Sequence, residues 1–515
     1  MLLCVAFILF SSSSTFAAQC RYFEDLEQGY SCEFHSETLS SEKDLLLIGG
    51  VHENAKEDED VIFLNISSSD LTFIPNIMLV KFKNLESADL KRAKVKEISR
   101  NNFNKCECLQ EIQLAENGLQ TIPAEVFSAC TILRKIDLSS NLIATIADSS
   151  FNGLKDLKTL DISNNQLVNL RTEVFSILKS LELLNLESNW IVDLPENFLE
   201  NLTDLKELHL TDNKIASIPV NFFLNSQKLE VFEFSNNAIT ELSDETFQNS
   251  TGIKFIDLSL NNIVNIHKDA FSNLKKLEKL NLASNSIEYL DVKTFQNLES
   301  LTQLLLLNNN LETFSPTSFN GLISLEELSL SFNKFEALDD DIFKNNAILE
   351  VLWLKNNKLS TLNFLGPLTK LTKLVLDSNY FTEIDNYSFL TNQNIKVLSL
   401  EDNQIDQLKS APFTLVPQLE NLQLSINKII AVERNFFATL PNLKSIGLEL
   451  NICIDRVFVN FDNEVITAAL ETCFKNFENL SETTTEPSTT LGVSSICFSQ
   501  VLIFATFLFV LIINS

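Results

Sequence analysis

The sequence predicts an α/β solenoid, in which about 17 short units stack side by side and contribute one strand each to a parallel sheet. Three observations predict it: a 24-residue period, an asparagine that recurs in register, and apolar residues at fixed positions within each unit. Self-similarity at a period of about 20 to 50 residues is typical of repeat architectures. Because no single unit can bury its own apolar face, we expect the 515-residue chain to fold as one elongated domain.

Each unit has the pattern LxxLxLxxNxLxxLxxxxFxxLxx, as in the 24 residues that begin at Leu133. The alternation around the fourth and sixth positions predicts a short strand with those two side chains inside. The asparagine carries both donors and an acceptor, so it can satisfy backbone groups where the chain leaves the strand. It recurs as Asn117, Asn141, Asn165, Asn189, Asn213, Asn237, Asn261, Asn285, Asn309, Asn333, Asn357, Asn379, Asn403, Asn427 and Asn451.

A phenylalanine at the nineteenth position of most units predicts an aromatic spine inside the convex side. Its members are Phe103, Phe127, Phe151, Phe175, Phe223, Phe247, Phe271, Phe295, Phe319, Phe343, Phe389, Phe413 and Phe437. Two kinds of unit depart from the pattern. The first two repeats carry Ser69 and Ala93 in place of asparagine, which predicts a weaker asparagine column there, and the repeat at 349–370 has only 22 residues.

These motifs resemble the extracellular, typical-type leucine-rich-repeat family, which includes Toll-like receptor ectodomains and insect cell-surface or immune recognition proteins. The resemblance covers about residues 61–473. It implies a horseshoe with a concave parallel sheet, closed by disulfide-braced caps, that binds a partner on its concave side. Family caps often carry four cysteines each, whereas two at each end resemble the reduced caps of insect proteins.

The cysteines predict how the ends of the solenoid are closed, since each end would otherwise expose an apolar cross-section. Cys20 and Cys32 belong to a cap at 18–60, and Cys453 and Cys473 to a cap at 453–477, with the repeats at 61–452 between them. We expect each pair to be bonded. Cys106 and Cys130 occupy one position in successive units, where stacking favours a disulfide; burial as reduced thiols, or competition from Cys108, is the alternative.

Both chain ends carry targeting patterns. Residues 1–17 read as a secretory signal peptide, with an apolar run and small residues before a cleavage site after Ala17. A Ser/Thr-rich stalk is predicted at 478–495 and an apolar tail at 496–515. A small-residue site, a short spacer and an apolar tail are the pattern of glycosylphosphatidylinositol attachment, which removes the tail. Gly492 and Ser494 are the candidate attachment residues, and a single membrane span is the alternative.

Composition and motifs argue against several classes of function. The net charge of −29 repels nucleic-acid phosphates, so no nucleic-acid partner is expected. The sequence contains no HExxH pair, GxSxG elbow, phosphate-binding glycine loop or zinc-spaced CxxC pair, so we predict no enzyme, no cofactor and no metal site.

Outward positions of the predicted strands are mostly polar, but the pattern changes near the middle of the chain. There the apolar residues Leu305, Leu307, Phe332, Val351, Trp353 and Val375 form the candidate ligand-binding patch. A glycan, a loop or a homodimer that covers this patch is the alternative. Acceptor motifs for N-glycans occur at Asn65, Asn201, Asn249, Asn386 and Asn479.

The predicted function is non-enzymatic recognition or adhesion at the extracellular face of the plasma membrane, reached through the secretory pathway. The expected partner is a protein or a glycoconjugate bound by the concave face. Two alternatives remain open at the level of sequence: an innate immune receptor or co-receptor for microbial ligands, and a secreted or matrix structural protein.

Overall fold

A computed structural model describes residues 20–33, 38–39, 52, 55–71, 73–76 and 78–484. Its main element is a 20-stranded sheet. Two of these strands form an N-terminal hairpin and one is an antiparallel last strand, which leaves 17 repeat strands, as predicted. They are Phe63–Asn65, Ser87–Asp89, Glu111–Gln113, Lys135–Asp137, Thr159–Asp161, Leu183–Asn185, Glu207–His209, Val231–Glu233, Phe255–Asp257, Lys279–Asn281, Gln303–Leu305, Glu327–Ser329, Val351–Trp353, Lys373–Val375, Val397–Ser399, Asn421–Gln423 and Ser445–Gly447.

The repeat strands pair in parallel, and most residues pair with the residue 24 positions further on, as Leu160 does with Leu184. The middle residue of each strand is buried, which confirms the interior position predicted for it. The short unit keeps this register, because Leu352 pairs with Leu374. Its two missing residues are therefore absorbed on the convex side, where the 3-10 helix Asn363–Leu365 replaces the usual segment.

The asparagine column is present from Asn117 to Asn451. Asn213 is representative: its amide nitrogen donates to the carbonyl oxygens of Leu186 at 3.0 Å, Leu210 at 3.0 Å and Thr211 at 3.2 Å. Its amide oxygen accepts from the backbone nitrogen of Ile191 at 3.0 Å. One side chain thus satisfies backbone groups of two coils, which answers the requirement that buried polar groups be paired.

The column ends at the two N-terminal units, as predicted. The hydroxyl of Ser69 is buried and has no hydrogen-bond partner among the described residues. At Ala93 the backbone carbonyl takes over the acceptor role, since it receives the backbone N–H of Leu71 at 2.7 Å. A backbone group therefore replaces the missing amide oxygen at that coil.

Phenylalanine rings of successive coils pack against each other on the convex side, with centroid distances such as 5.1 Å for Phe103 and Phe127. The predicted aromatic spine is wrong at one member, Phe437. The fully buried ring of the last coil belongs to Phe436, and Phe437 is only partly buried, because the 3-10 helix Phe436–Thr439 places the earlier residue inside. Phe198 likewise contributes to the spine in a coil that has leucine at the nineteenth position.

Short elements complete the lateral and convex sides. Four pairs of two-residue parallel strands run beside the main sheet: Thr38–Leu39 with Asp70–Leu71, Thr121–Ile122 with Thr145–Ile146, Glu241–Leu242 with Asn265–Ile266, and Gln407–Leu408 with Ala431–Val432. The short helices are the α-helices Met78–Lys81 and Thr172–Phe175 and the 3-10 helices Asp58–Asp60, Arg100–Phe103 and Pro412–Leu415.

The N-terminal cap is the antiparallel hairpin Arg21–Asp25 and Gly29–Glu33, whose second strand pairs in parallel with Phe63–Asn65. At the other end, Val457–Val459 pairs antiparallel with the last repeat strand. The helices Asn463–Ala469 and Glu471–Thr484 follow it. The second helix continues beyond the predicted cap into the segment predicted as stalk.

The two expected cap disulfides are present, and so is the Cys106–Cys130 bond, which the sequence left open. Cys20–Cys32 and Cys453–Cys473 lie in the caps, with Cα–Cα distances of 5.5 Å and 5.4 Å. Cys106–Cys130 joins two adjacent coils at 4.9 Å, and Cys108 is left as a free thiol. Disulfides persist in oxidising compartments, so they indicate a secreted or extracellular protein. The predicted signal peptide, the apolar tail and the anchor candidates Gly492 and Ser494 lie outside the described residues.

Candidate ligand-binding surface on the concave face

Three side chains of each coil point from the sheet toward the concave side. They occupy the third, fifth and seventh positions of the unit, which alternate with the buried fourth and sixth positions. Since the backbone groups of the sheet pair with neighbouring coils, these outward side chains are not needed to hold the coils together. The concave face is therefore the surface whose chemistry can vary from coil to coil.

The structure brings most of the predicted apolar patch together. Leu305 and Leu307 lie in one coil, two coils before the one that carries Val351 and Trp353, and Ser329 of the coil between them pairs with both Leu305 and Trp353. All four apolar residues are partly exposed. Phe332 stands beside them with 42% of its surface exposed. A group of apolar side chains that includes an aromatic ring is typical of an interface centre.

Val375 is the member that the structure corrects. It faces the concave side as predicted, but only 6% of its surface is exposed. Its partners in register are Trp353 on one side and Ser399 on the other. The indole of Trp353 is far larger than a valine side chain and shields it, so Val375 supports the patch from below and is not available to a ligand.

Polar contacts fix the orientation of Trp353. Its indole nitrogen donates to a carboxylate oxygen of Glu327 at 3.0 Å, and Gln303 donates to the other oxygen of the same carboxylate at 2.7 Å. The ammonium of Lys373 lies 3.8 Å from the centroid of the indole ring, which is within cation–π range. The ring is therefore held in place before any partner binds, which lowers the entropic cost of binding.

Phe332 has a second unusual property, which is its backbone conformation. The eighth residue of every coil adopts a left-handed conformation, with φ near +55°, and in most coils it is polar. Phe332 has φ of 56°, and Leu260, Ile426 and Leu450 are the other apolar residues at this position. A bulky side chain is disfavoured in that region, so its presence there needs a compensating reason.

The N-terminal half of the concave face is acidic. Its centre is His209, whose imidazole nitrogens contact Glu233 at 2.5 Å and Glu207 at 3.4 Å. Burial opposes a charge on the imidazole, but the two carboxylates outweigh it and raise the pKa of His209 above its ordinary value. Burial, together with the carboxylates of Asp212 and Glu233, raises the pKa of Glu187. An imidazole with a raised pKa thus lies among several carboxylates.

This cluster was not predicted from the sequence. The signal was available, because residues 24 apart are neighbours across the sheet, as His209 and Glu233 are. In the described part of the chain, no group of three or more His, Cys, Asp or Glu side chains has the geometry of a metal site. Nor does any helix there have the length and apolarity needed to cross a membrane.

The five predicted glycan acceptors occupy different environments. Asn65 is half-buried on a concave strand, and its side chain bonds Glu33 and the backbone nitrogen of Ser67. Asn201 and Asn249 are half-buried in turns, whereas Asn386 is exposed. Asn479 is exposed on the C-terminal helix. Glycosylation itself stays a prediction.

Family models match most of the solenoid. The model described as the BspA type leucine rich repeat region matches in six copies, over residues 63–142, 96–230 and 216–350. Together these matches cover more than half of the chain. The chain belongs to the leucine-rich-repeat family. A second model, described as leucine rich repeat, matches residues 369–429 of this leucine-rich-repeat protein. No curated protein matches the chain.

Solved structures show the same fold. A leucine-rich-repeat protein of Leptospira interrogans is 25% identical with a TM-score of 0.65, and the match covers 76% of this chain and 96% of the other. Toll of Drosophila, in its glycosylated complex with Spatzle, is 22% identical with a TM-score of 0.69, over 82% and 61% of the two chains. TLR13 in complex with a single-stranded RNA is 25% identical with a TM-score of 0.64, over 76% and 56%.

These comparisons confirm the predicted leucine-rich repeats and support a protein-binding or recognition role for the solenoid. The extracellular, typical type stays a prediction. No enzyme family is among the matching models. This chain spans less than two thirds of the Toll and TLR13 chains, so their assemblies are not carried over to it. The narrower resemblance to insect cell-surface proteins stays a prediction.

Proposed function

We propose that this leucine-rich-repeat protein is a non-enzymatic recognition or adhesion protein of the cell surface, which binds a protein or glycoconjugate partner through its concave face. The observation that carries the proposal is the apolar patch of Leu305, Leu307, Phe332, Val351 and Trp353. It lies on a mostly polar concave surface, and its aromatic centre is already ordered by Glu327 and Lys373. Rigid aromatic residues of this kind contribute much of the energy of protein interfaces.

Three further features support an extracellular site of action. The disulfides suit an oxidising compartment. The acidic composition favours solubility and repels other polyanions. Toll binds Spatzle and TLR13 binds single-stranded RNA, so solenoids of this fold serve as receptors for quite different ligands. The lipid anchor predicted at Gly492 or Ser494 would hold the solenoid at the membrane.

The test is a binding screen of residues 18–484, which keep the C-terminal helix whole, fused to a multivalent tag, against cell-surface ectodomains and against microbial glycoconjugates and proteins. A ligand among the cell-surface ectodomains would indicate adhesion, and a ligand among the microbial molecules would indicate immune recognition. For that ligand, we expect Trp353→Ala to weaken binding about tenfold to a hundredfold, as removal of an interface anchor does.

The chain offers a matched control in Trp190, which is 48% exposed and also lies beneath a lysine, with Lys214 at 5.6 Å from its ring centroid. Trp190→Ala should leave binding unchanged. Equal affinities of the wild-type protein and Trp353→Ala would show that the patch is not the binding site. If neither arm gives a ligand and phospholipase does not release the protein from cells, a matrix role is favoured.

A further inference from the structure

The short coil leaves a notch in the convex side of the solenoid. Where the unit at 349–370 lacks two residues, a half-open cavity of about 680 Å³ lies between it and the following coil. Asn363 and Gly366 line it from the short coil, and Asp385, Tyr387 and Leu390 line it from the next. A side chain at Gly366 would meet nothing within 4 Å, so the space is open there.

The lining of this notch has the chemistry that binds carbohydrate. Carboxylates of Asp340, Glu383 and Asp385 and hydroxyls of Ser388 and Thr391 offer hydrogen-bond partners for sugar hydroxyls and amides. Tyr387 adds an aromatic ring with 74% of its surface exposed, onto which the apolar face of a sugar ring can pack. The volume falls within the range of about 300 to 1,000 Å³ that small-molecule sites occupy.

A glycan acceptor lies at the rim of the notch. The motif is Asn386-Tyr387-Ser388, and its second and third residues line the cavity themselves. Among the five acceptors, Asn386 alone is exposed and lies in a turn. Asn65 is engaged in hydrogen bonds on a strand, and Asn479 lies inside a helix. A sugar attached to Asn386 therefore begins next to the cavity and needs no partner to reach it.

We propose that Asn386 carries an N-glycan whose first two N-acetylglucosamine units fold into the notch, pack on Tyr387 and complete the convex surface of the short coil. In the attachment step, the amide nitrogen of Asn386 bonds to C1 of the sugar of a polyprenyl-diphosphate-linked oligosaccharide. The bond from C1 to the diphosphate oxygen breaks, the lipid diphosphate leaves with the electron pair, and the amide proton passes to solvent. The proposal rests on entry into the secretory pathway and is independent of any concave ligand.

The experiment compares tyrosine labelling in the full chain produced by glycosylating eukaryotic cells. Glycopeptide mass spectrometry first measures the occupancy of Asn386. Hydroxyl-radical footprinting then compares Tyr387 between the wild-type protein and Asn386→Gln. A ligand in such a site is largely buried against its walls, so we expect Tyr387 to react about threefold less when the glycan is present.

Two controls keep the result decisive. Tyr289 is 66% exposed and no acceptor motif lies near it, so its labelling should be equal in both proteins. Amidase removal of the glycan from folded wild-type protein should restore labelling even where Asn386→Gln folds poorly. An unmodified Asn386, or an occupied Asn386 with unprotected Tyr387, would overturn the proposal.

Discussion

Replacement of Asn165 by leucine tests the asparagine column, on which the stacking of the coils depends. The side chain is 5% exposed. Its amide nitrogen donates to the carbonyls of Leu138 at 3.0 Å, Ile162 at 3.1 Å and Ser163 at 3.0 Å. Its amide oxygen accepts from the backbone nitrogen of Ile143 at 2.9 Å. Leucine has nearly the same size, so the substitution removes these bonds without opening a large cavity.

The expected loss follows from those four bonds. A buried hydrogen bond contributes about 1 kcal/mol net, and an unsatisfied backbone group in a dry interior costs about 1 to 3 kcal/mol. We therefore expect Asn165→Leu to lower the free energy of unfolding by about 4 kcal/mol. Asn117 makes the same set of bonds but is only half-buried, so water can replace part of them. Asn117→Leu should cost about half as much.

Urea denaturation followed by circular dichroism measures the global loss, and hydrogen exchange measures the local one, because a stacked array can open in part. The backbone amide of Ile143 should exchange much faster in Asn165→Leu. The exposed Asn152 is the control, and Asn152→Leu should change stability by less than about 0.5 kcal/mol. If Asn165→Leu costs no more than this control, the column does not hold the coils together.

Two other predictions concern charge and covalent bonding. The folded pKa of His209 lies above its ordinary value of 6.5, so its contribution to stability is complete below about pH 6.5 and is lost as the pH rises through the folded pKa. The stability difference between wild-type protein and His209→Gln, from urea titrations, should therefore shrink from pH 6 to pH 9, and a constant difference would contradict the pairing with Glu233. Cys106 and Cys130 close a loop with a sequence separation of 24, so the double alanine variant should lose up to about 3.5 kcal/mol. Non-reducing peptide mapping should find this pair linked and Cys108 alkylated, and linkage of Cys108 to either residue would refute the assignment.

The sequence predicted the sheet well because one geometry repeats through it. The fourth and sixth positions of the unit are buried in every coil, so the period fixes the register and the asparagine column together. The same regularity placed Cys106 and Cys130 at one position of adjacent coils, within reach of the disulfide that the structure forms.

Departures arose where a neighbour or a local turn decides the outcome. Val375 is buried because the adjacent coil happens to carry Trp353, and a pattern within one unit does not contain that information. Phe436 replaces Phe437 because a 3-10 turn rotates the chain by one residue. The second capping helix extends to Thr484 although its last residues are polar, since Arg434 of the last coil bonds its Glu471 and Glu478.

Phe332 offers a test that separates stability from function. A left-handed conformation costs an ordinary residue about 1 to 2 kcal/mol, whereas asparagine tolerates it. Phe332→Asn should therefore raise the free energy of unfolding by about 1 kcal/mol and, if the ring serves the partner, weaken ligand binding. Leu260 has the same backbone conformation and is 55% exposed. Leu260→Asn should raise stability equally in urea titrations and leave binding unchanged. If Phe332→Asn instead lowers the free energy of unfolding, the ring is retained for packing. The left-handed backbone at Phe332 then gives no reason to infer a ligand.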